Sequence, residues 1–342
     1  MTLIRDKDPN SHYNLTRIPD QIIKIVKERI CPIIHLNCPP DINCQQYINV
    51  PQSSTIIELK SAVFQSLNQV SRINQRFKEI LVNDHNIIPH LTHPLIQFAS
   101  QSQFNKKTDS IQQRNQQQSE SSSSISLIAS SNNLLYILIQ WNNKIYKEVI
   151  KTPKVLHSLS TLSIYKIGTH LSQENDQQTL ALRRSSRRCL GIIQLRGDVS
   201  THSELINVGY AIVFVIAIST ASGSGEEKDE EIWNGLSKIS IFLKCLNKGK
   251  QNSFPPQPLL ARRSYEQFEE EGGNEEIDSQ LINNGQQYCN IKDGAIRNKG
   301  RILNYFIELG TSRPDWYQQD QDEEYQDQEE EEEEEEEEYD NI

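Results

Sequence analysis

Between Glu226 and Asn247 the apolar residues Ile232, Leu236, Ile239, Leu243 and Leu246 recur at alternating intervals of four and three, and no other feature constrains the fold of this chain as strongly. That spacing draws one apolar stripe along a helix. Acids fill its first turns (Glu226, Glu227, Asp229, Glu230, Glu231) and Lys244, Lys248 and Lys250 its end, the distribution that the helix dipole favours. A long helix that is apolar on one side needs partners of the same kind, and two more segments offer them. From about Gln177 to Leu195 the stripe is Leu182, Cys189 and Ile193. From about Lys292 to Leu309 it is Ile296, Leu303 and Ile307, with Gly300 on the same face to admit a close neighbour. Sandwiches and barrels require many turn residues, and 14 Gly and 13 Pro are few for 342 residues, so the chain is expected to be all-α.

The chain also resembles itself. Ser203-Glu204-Leu205-Ile206-Asn207-Val208-Gly209 matches Ser279-Gln280-Leu281-Ile282-Asn283-Asn284-Gly285, an offset of 76 residues or two periods of 38. A looser copy is Lys78-Glu79-Ile80-Leu81-Val82-Asn83-Asp84-His85, followed by Ile87 to Leu91 where the better copy continues with Tyr210-Ala211-Ile212-Val213. After Gly209 come an apolar segment, a polar turn at Gly223-Ser224-Gly225, and the long helix already described. This order resembles the armadillo repeat, in which a first helix ends near a glycine, an apolar second helix follows, and a third begins with acids. The best copy runs from His202 to Asn247, a partial one from Glu275 to Leu309, and degenerate ones over 56–99 and 140–195. A period near 40 is shared with HEAT repeats.

The resemblance implies an all-α, armadillo/HEAT-like superhelical solenoid of about four to five degenerate repeats, with a disordered insertion and an acidic tail. It divides the chain into N-terminal degenerate helical repeats (1–99), a low-complexity disordered linker (100–125), armadillo-like repeats (126–314) and a disordered acidic tail (315–342). It further implies a non-catalytic interaction scaffold or adaptor whose groove, lined by third helices, binds other proteins. The alternatives are a transport receptor or chaperone-like binder of charged cargo and, more remotely, an undetected enzyme. One departure limits the transfer. Import-type armadillo proteins place Trp and Asn four residues apart on the third helix, whereas Trp233 is followed directly by Asn234 and Ser237 stands at the expected Asn position.

The net charge of −11 hides a division. Residues 315–342 carry 17 acids and no basic residue, so all 35 Lys and Arg and the remaining 29 acids belong to residues 1–314. The body is therefore about +6 and the tail −17, and a basic body with an acidic tail attracts different partners at its two ends. Expected partners are other proteins: acidic peptides, or the chain's own tail, at the Arg183–Arg188 face and basic proteins at the tail, with solubility alone as the plainer role of the tail; neither nucleic acid nor membrane is expected. The longest apolar run, Tyr210 to Ile218, is half of what a bilayer span requires. Met1 is followed by polar and charged residues, so no secretory leader is expected, and none of the six cysteines forms a Cys-x-x-Cys pair. Reduced thiols in a cytoplasmic or nuclear protein are expected.

Three residue groups are candidate sites. In Arg183-Arg184-Ser185-Ser186-Arg187-Arg188 all four arginines fall opposite the stripe of Leu182, Cys189 and Ile193, where guanidiniums can take carboxylates in bidentate fashion. Arg183, Arg184, Arg187, Arg188 and Trp233 are thus the candidate partner-binding residues of the groove, with an ordinary solvated helix face as the alternative. Cys31, His35, Cys38 and Cys44 have spacings that zinc tolerates but that match no familiar knuckle. Small apolar fillers beside a helix ending at Pro32 are the favoured alternative. His85, His90 and His93 have only Asp84 nearby as a carboxylate and read as polar residues of an exposed helix. No metal, no cofactor and no catalytic residue is assigned. The chain has no phosphate-binding glycine loop, no Gly-x-Ser-x-Gly and no His-Glu-x-x-His, while a Cys–His dyad assembled only by the fold stays open.

Overall fold

Apolar stripes become buried helix faces in the computed structural model, which describes residues 20–51, 53–107, 122–169, 172–219, 228–250, 254–283 and 290–304. The acidic tail, Cys289, Gly223-Ser224-Gly225 and residues 108–121 of the expected linker lie outside the described residues. Among the described residues every regular element is a helix, and extended backbone amounts to two isolated bridges, Leu36 with Ile48 and Lys250 with Phe254. The chain forms two compact units, residues 1–98 with 109–149 and residues 99–108 with 150–342.

In the first unit α1 (Asp20–Ile25) continues through a π-helical turn, Val26–Ile30, into a 3-10 turn, Cys31–His35, that Pro32 helps to start. A long loop leads to α2 (Ser54–Ile73), which buries Val63, Phe64 and Leu67. Next comes α3 (Gln75–Glu79), whose first turn is capped where the Phe77 amide donates to the Asn74 side chain at 2.9 Å. It runs on as a π-helical turn, Ile80–Asp84. Then follow α4 (Ile87–Lys107), α5 (Ser122–Trp141) and α6 (Asn143–Lys151). Helices α2 and α5 pack along their length because small residues meet between them: the Ser61 hydroxyl lies 2.8 Å from that of Ser126 and 3.1 Å from that of Ser130. The segment read as a linker from 100 to 125 is helical at both ends, since α4 reaches Lys107 and α5 begins at Ser122.

The second unit holds α7 (Val155–Ser163), α8 (Gln173–Arg196), α9 (Val199–Asn207), α10 (Tyr210–Ile218), α11 (Asp229–Lys248), α12 (Pro258–Glu270), α13 (Gly273–Gln280) and α14 (Ile291–Asn304). The expected stripes of α8 and α11 are buried throughout, and each such aliphatic side chain contributes about 1.5–3 kcal/mol relative to exposure. In α14 Ile291, Ala295, Asn298, Gly300 and Ile302 are buried and Ile296 only half-buried, while the side chains of Leu303 and Ile307 lie outside the described residues. Polar Asn298 can be buried there because its side-chain amide donates to the Leu236 and Gly294 carbonyls, both at 2.8 Å. Gly235 lets α11 meet α10: a Cβ there would stand 2.7 Å from Ile218 Cγ2.

The helices recur in threes, and one backbone conformation marks each recurrence. Left-handed residues Asn86, Lys154, Gly209 and Gly272 each stand immediately before a second helix (α4, α7, α10 and α13). A third helix follows each: α5, α8, α11 and α14. Positions 86, 154, 209 and 272 are separated by 68, 55 and 63 residues, not by multiples of 38. The described residues of 203–209 and 279–285 do not occupy equivalent places: the first copy runs through the end of α9 at Asn207, whereas the second begins at the end of α13, and its residues 284 and 285 lie outside the described residues. The looser copy at 78–85 does occupy the equivalent place, ahead of Asn86. Side chains of one group of three close the helix ends of another. Ser160 donates to the Val208 carbonyl at 2.7 Å, Gln267 to Ile206 at 3.0 Å and Gln280 to Ile218 at 3.0 Å, adding partners to carbonyls at helix ends.

Candidate functional site

In the first unit the loop after His35 is folded back on itself. The Asn37 amide donates to the Ile48 carbonyl at 2.8 Å and the Ile48 amide to the His35 carbonyl at 2.9 Å. The Asn37 side chain also accepts from the Val50 amide and donates to the Val50 carbonyl, both at 2.9 Å. Asn37 and Asn43 are left-handed, a conformation that asparagine tolerates better than most residues, and they reverse the chain on either side of a 3-10 turn at Pro40–Ile42. The clasp turns Cys38 and Cys44 towards His35. From α4, His93 reaches Asp41 of the same loop at 2.9 Å and His90 turns inward.

The result is a compact group. His35, Cys38, Cys44 and His90 each place one nitrogen or sulfur within 4.8 Å of all the others. His35 Nδ1 is 3.2 Å from Cys44 Sγ, and His90 Nδ1 is 3.3 Å from Cys38 Sγ. The other nitrogen of His35, Nε2, is 3.0 Å from His85 Nδ1, with the two rings stacked at 5.3 Å. His35, Cys38 and His90 are buried and Cys44 is half-buried. Burial pulls His35 down from 6.5 to about 4, helped by the charges of His85 and Lys60, and pulls His90 down to about 3. Burial also pushes Cys38 up to about 11, against the opposing charge of Lys60. Without an ion both imidazoles are neutral and the Cys38 thiol keeps its proton. That is the reverse of the thiolate–imidazolium pair a nucleophilic cysteine uses.

The structure brings together three of the four residues grouped by spacing. His35, Cys38 and Cys44 belong together, but the fourth member is His90, and Cys31 is a fully buried filler whose thiol burial raises to about 12. His85 and His90 are buried, not exposed, and only His93 keeps a partly open position. Sequence spacing groups His90 with His85 and His93, not with Cys44, because His90 lies 46 residues beyond Cys44 and only the packing of α4 against the loop joins them.

The arginine helix differs from its expected geometry. Arg183 and Arg187 are 3% and 4% exposed, not solvated. Arg183 donates to the Tyr165 carbonyl at 3.2 Å, and Arg187 faces Glu231 at 3.5 Å. Arg184 pairs with Glu231 at 2.8 Å and also with Glu230. The first-turn acids of α11, read as dipole partners, thus serve as counter-ions for α8. The face is wider than the stripe suggested because α8 is covered on more than one side: Ser185 and Ser186 are buried too. Arg188 and Trp233 are half-buried.

No protein-family model matches the chain, and no curated protein or solved structure proves similar to it. Fold and site together define an all-helical protein whose helices recur in threes, with a buried histidine–cysteine cluster in one unit. Among the described residues no single helix is long and apolar enough to cross a membrane. The one pair that passes jointly, α9 with α10, is bent by 59°.

Proposed function

We propose that this chain is a non-catalytic interaction scaffold of degenerate armadillo-like units, working in a reducing compartment, cytosolic or nuclear. The observation that carries the reading is the succession of third helices in the second unit, where α11 packs against both α8 and α14. In stacked repeats such helices line the surface to which partners bind. The left-handed joints before α7, α10 and α13, and the side chains that close neighbouring helix ends, are the other support. Arg184, Arg188 and Trp233 keep exposed surface on these third helices and are the contact candidates, while Arg183 and Arg187 serve the fold.

The test is affinity isolation with the full chain at several salt concentrations, comparing wild type with an Arg188→Ala/Trp233→Ala variant. Partners retained by wild type and lost by the folded variant support the reading. Equal retention by both sinks it. Retention that collapses with salt in both proteins favours a binder of charged cargo instead.

A further inference from the structure

We propose that His35, Cys38, Cys44 and His90 bind one structural Zn²⁺, which staples the loop at 36–50 to helix α4. This inference is independent of the interaction reading, because it rests on the first unit alone. Two thiols and two imidazoles form a ligand set that suits zinc, and four protein ligands leave no open position for substrate, the mark of a structural site. A zinc tetrahedron with bonds of about 2.0–2.3 Å has ligand-to-ligand edges of about 3.3–3.8 Å. The nitrogen–sulfur distances of 3.2 and 3.3 Å are close to those edges, and 4.8 Å bounds every other separation in the set.

The surroundings fit the same ion. Histidine ligands of zinc usually donate their second ring N–H to an oriented acceptor, and His35 Nε2 meets His85 Nδ1 at 3.0 Å. The set spans two distant chain segments, as a staple must: His35, Cys38 and Cys44 come from one stretch of ten residues (35–44) and His90 from α4. Zn²⁺ displaces the two thiol protons to solvent, and two thiolates then neutralise it, so the half-buried site carries no net charge. Two simple thiol–imidazole hydrogen bonds would explain the distances pairwise. They would not explain why the two pairs, one within the 35–44 stretch and one joining it to α4, share one centre, since buried polar groups add little stability where apolar residues would serve. Cys31 is equally buried a few residues away and stays outside the set, so a crowd of cysteines alone does not produce it.

The experiment is metal analysis of the full chain purified under reducing conditions without chelator, followed by substitution with Co²⁺. About one zinc per chain is expected, together with the absorption of tetrahedral, thiolate-bound cobalt. Cys44→Ser, at the most open ligand, lowers the zinc content to about a tenth or less while circular dichroism shows the helices retained. Cys44→His, which offers another zinc ligand, recovers binding in part, and Cys31→Ser leaves it unchanged. If Cys44→Ser fails to fold, the cobalt spectrum of wild type decides alone. Protein with no stoichiometric metal and no cobalt spectrum overturns the proposal. So does equal zinc loss in Cys31→Ser, or a Cys38–Cys44 disulfide in place of metal.

Discussion

Glu231 shows how one residue can carry two roles. Its position in the first turn of α11 suits the helix dipole, but its carboxylate is 4% exposed and is shared by Arg184 and Arg187 of α8. Removing one partner of a buried pair strands the other charge in a low dielectric, at a cost of about 3–5 kcal/mol. Glu231→Ala is therefore expected to destabilise the chain by about 3 kcal/mol or more in urea unfolding, since it removes a carboxylate that buried Arg187 and Arg184 share. Glu230→Ala, at a side chain half open to solvent, should cost under about 1 kcal/mol; equal losses in the two variants would contradict the assignment. His202 makes a second residue-scale case. It is 1% exposed, shares a hydrogen bond with the Gln194 carbonyl at 3.1 Å and packs edge-on to Phe242 and Phe254. Burial lowers its pKa below 6.5, with Lys250 adding to the shift and the Gln194 bond and Asp198 opposing it. The unfolded chain thus binds the extra proton first, so stability is full above 6.5 and declines as pH falls below it towards the folded value. His202→Gln, which can keep the bond to the carbonyl, should flatten that decline in denaturation curves run between about pH 7 and pH 5. An unaltered slope would mean that other groups set it.

At the level of the elements, the joint before each second helix is the recurring device, and its residues are not equivalent. Gly209 and Gly272 adopt positive φ without strain, whereas Lys154 does so at 69° with a Cβ to accommodate. Lys154→Gly should therefore stabilise the fold or leave it unchanged, while Gly209→Ala should cost about 1 kcal/mol through the backbone alone. The Cβ added at Gly209 meets nothing closer than 3.4 Å, so a much larger thermal shift would point to packing instead. These joints also show where the sequence is legible. The apolar stripes of α8 and α11 follow from spacing within single helices, and the structure keeps them, although α8 begins four residues earlier than its stripe implies. The repeat period does not follow, because what recurs is a backbone conformation that Asn86, Lys154, Gly209 and Gly272 all supply. Identity at Ser-x-Leu-Ile-Asn-x-Gly therefore points to the wrong equivalence, while the weak copy at 78–85 points to the right one. The site divides along the same line. His35, Cys38 and Cys44 can be grouped from one loop, but His90 requires knowing that α4 lies against it, and the ion pairs of Arg184 and Arg187 require knowing that α11 lies beside α8.

For the whole molecule, the division of charge takes on a different meaning once part of the arginine helix is neutralised from within. Two of the basic residues in the cluster are buried and a third is paired with two acids, so the positive charge of the body does not concentrate there as the sequence suggests. What remains is a diffuse excess of about +6 over residues 1–314 against −17 over residues 315–342. A diffuse excess acts at a distance: it raises encounter rates for oppositely charged partners without selecting among them, and salt screens it over about 10 Å at 0.1 M. If the covalently attached tail engages the body, it competes with any acidic ligand at a high effective concentration. Deleting residues 315–342 should therefore strengthen binding of an acidic peptide to the body at low salt, and raising the salt should erase the difference between the two chains. Fluorescence anisotropy of a labelled poly-glutamate peptide measures both. Were the tail a recruiter of basic proteins with no hold on the body, the deletion would leave the peptide titration unchanged and abolish binding of a basic probe such as poly-lysine.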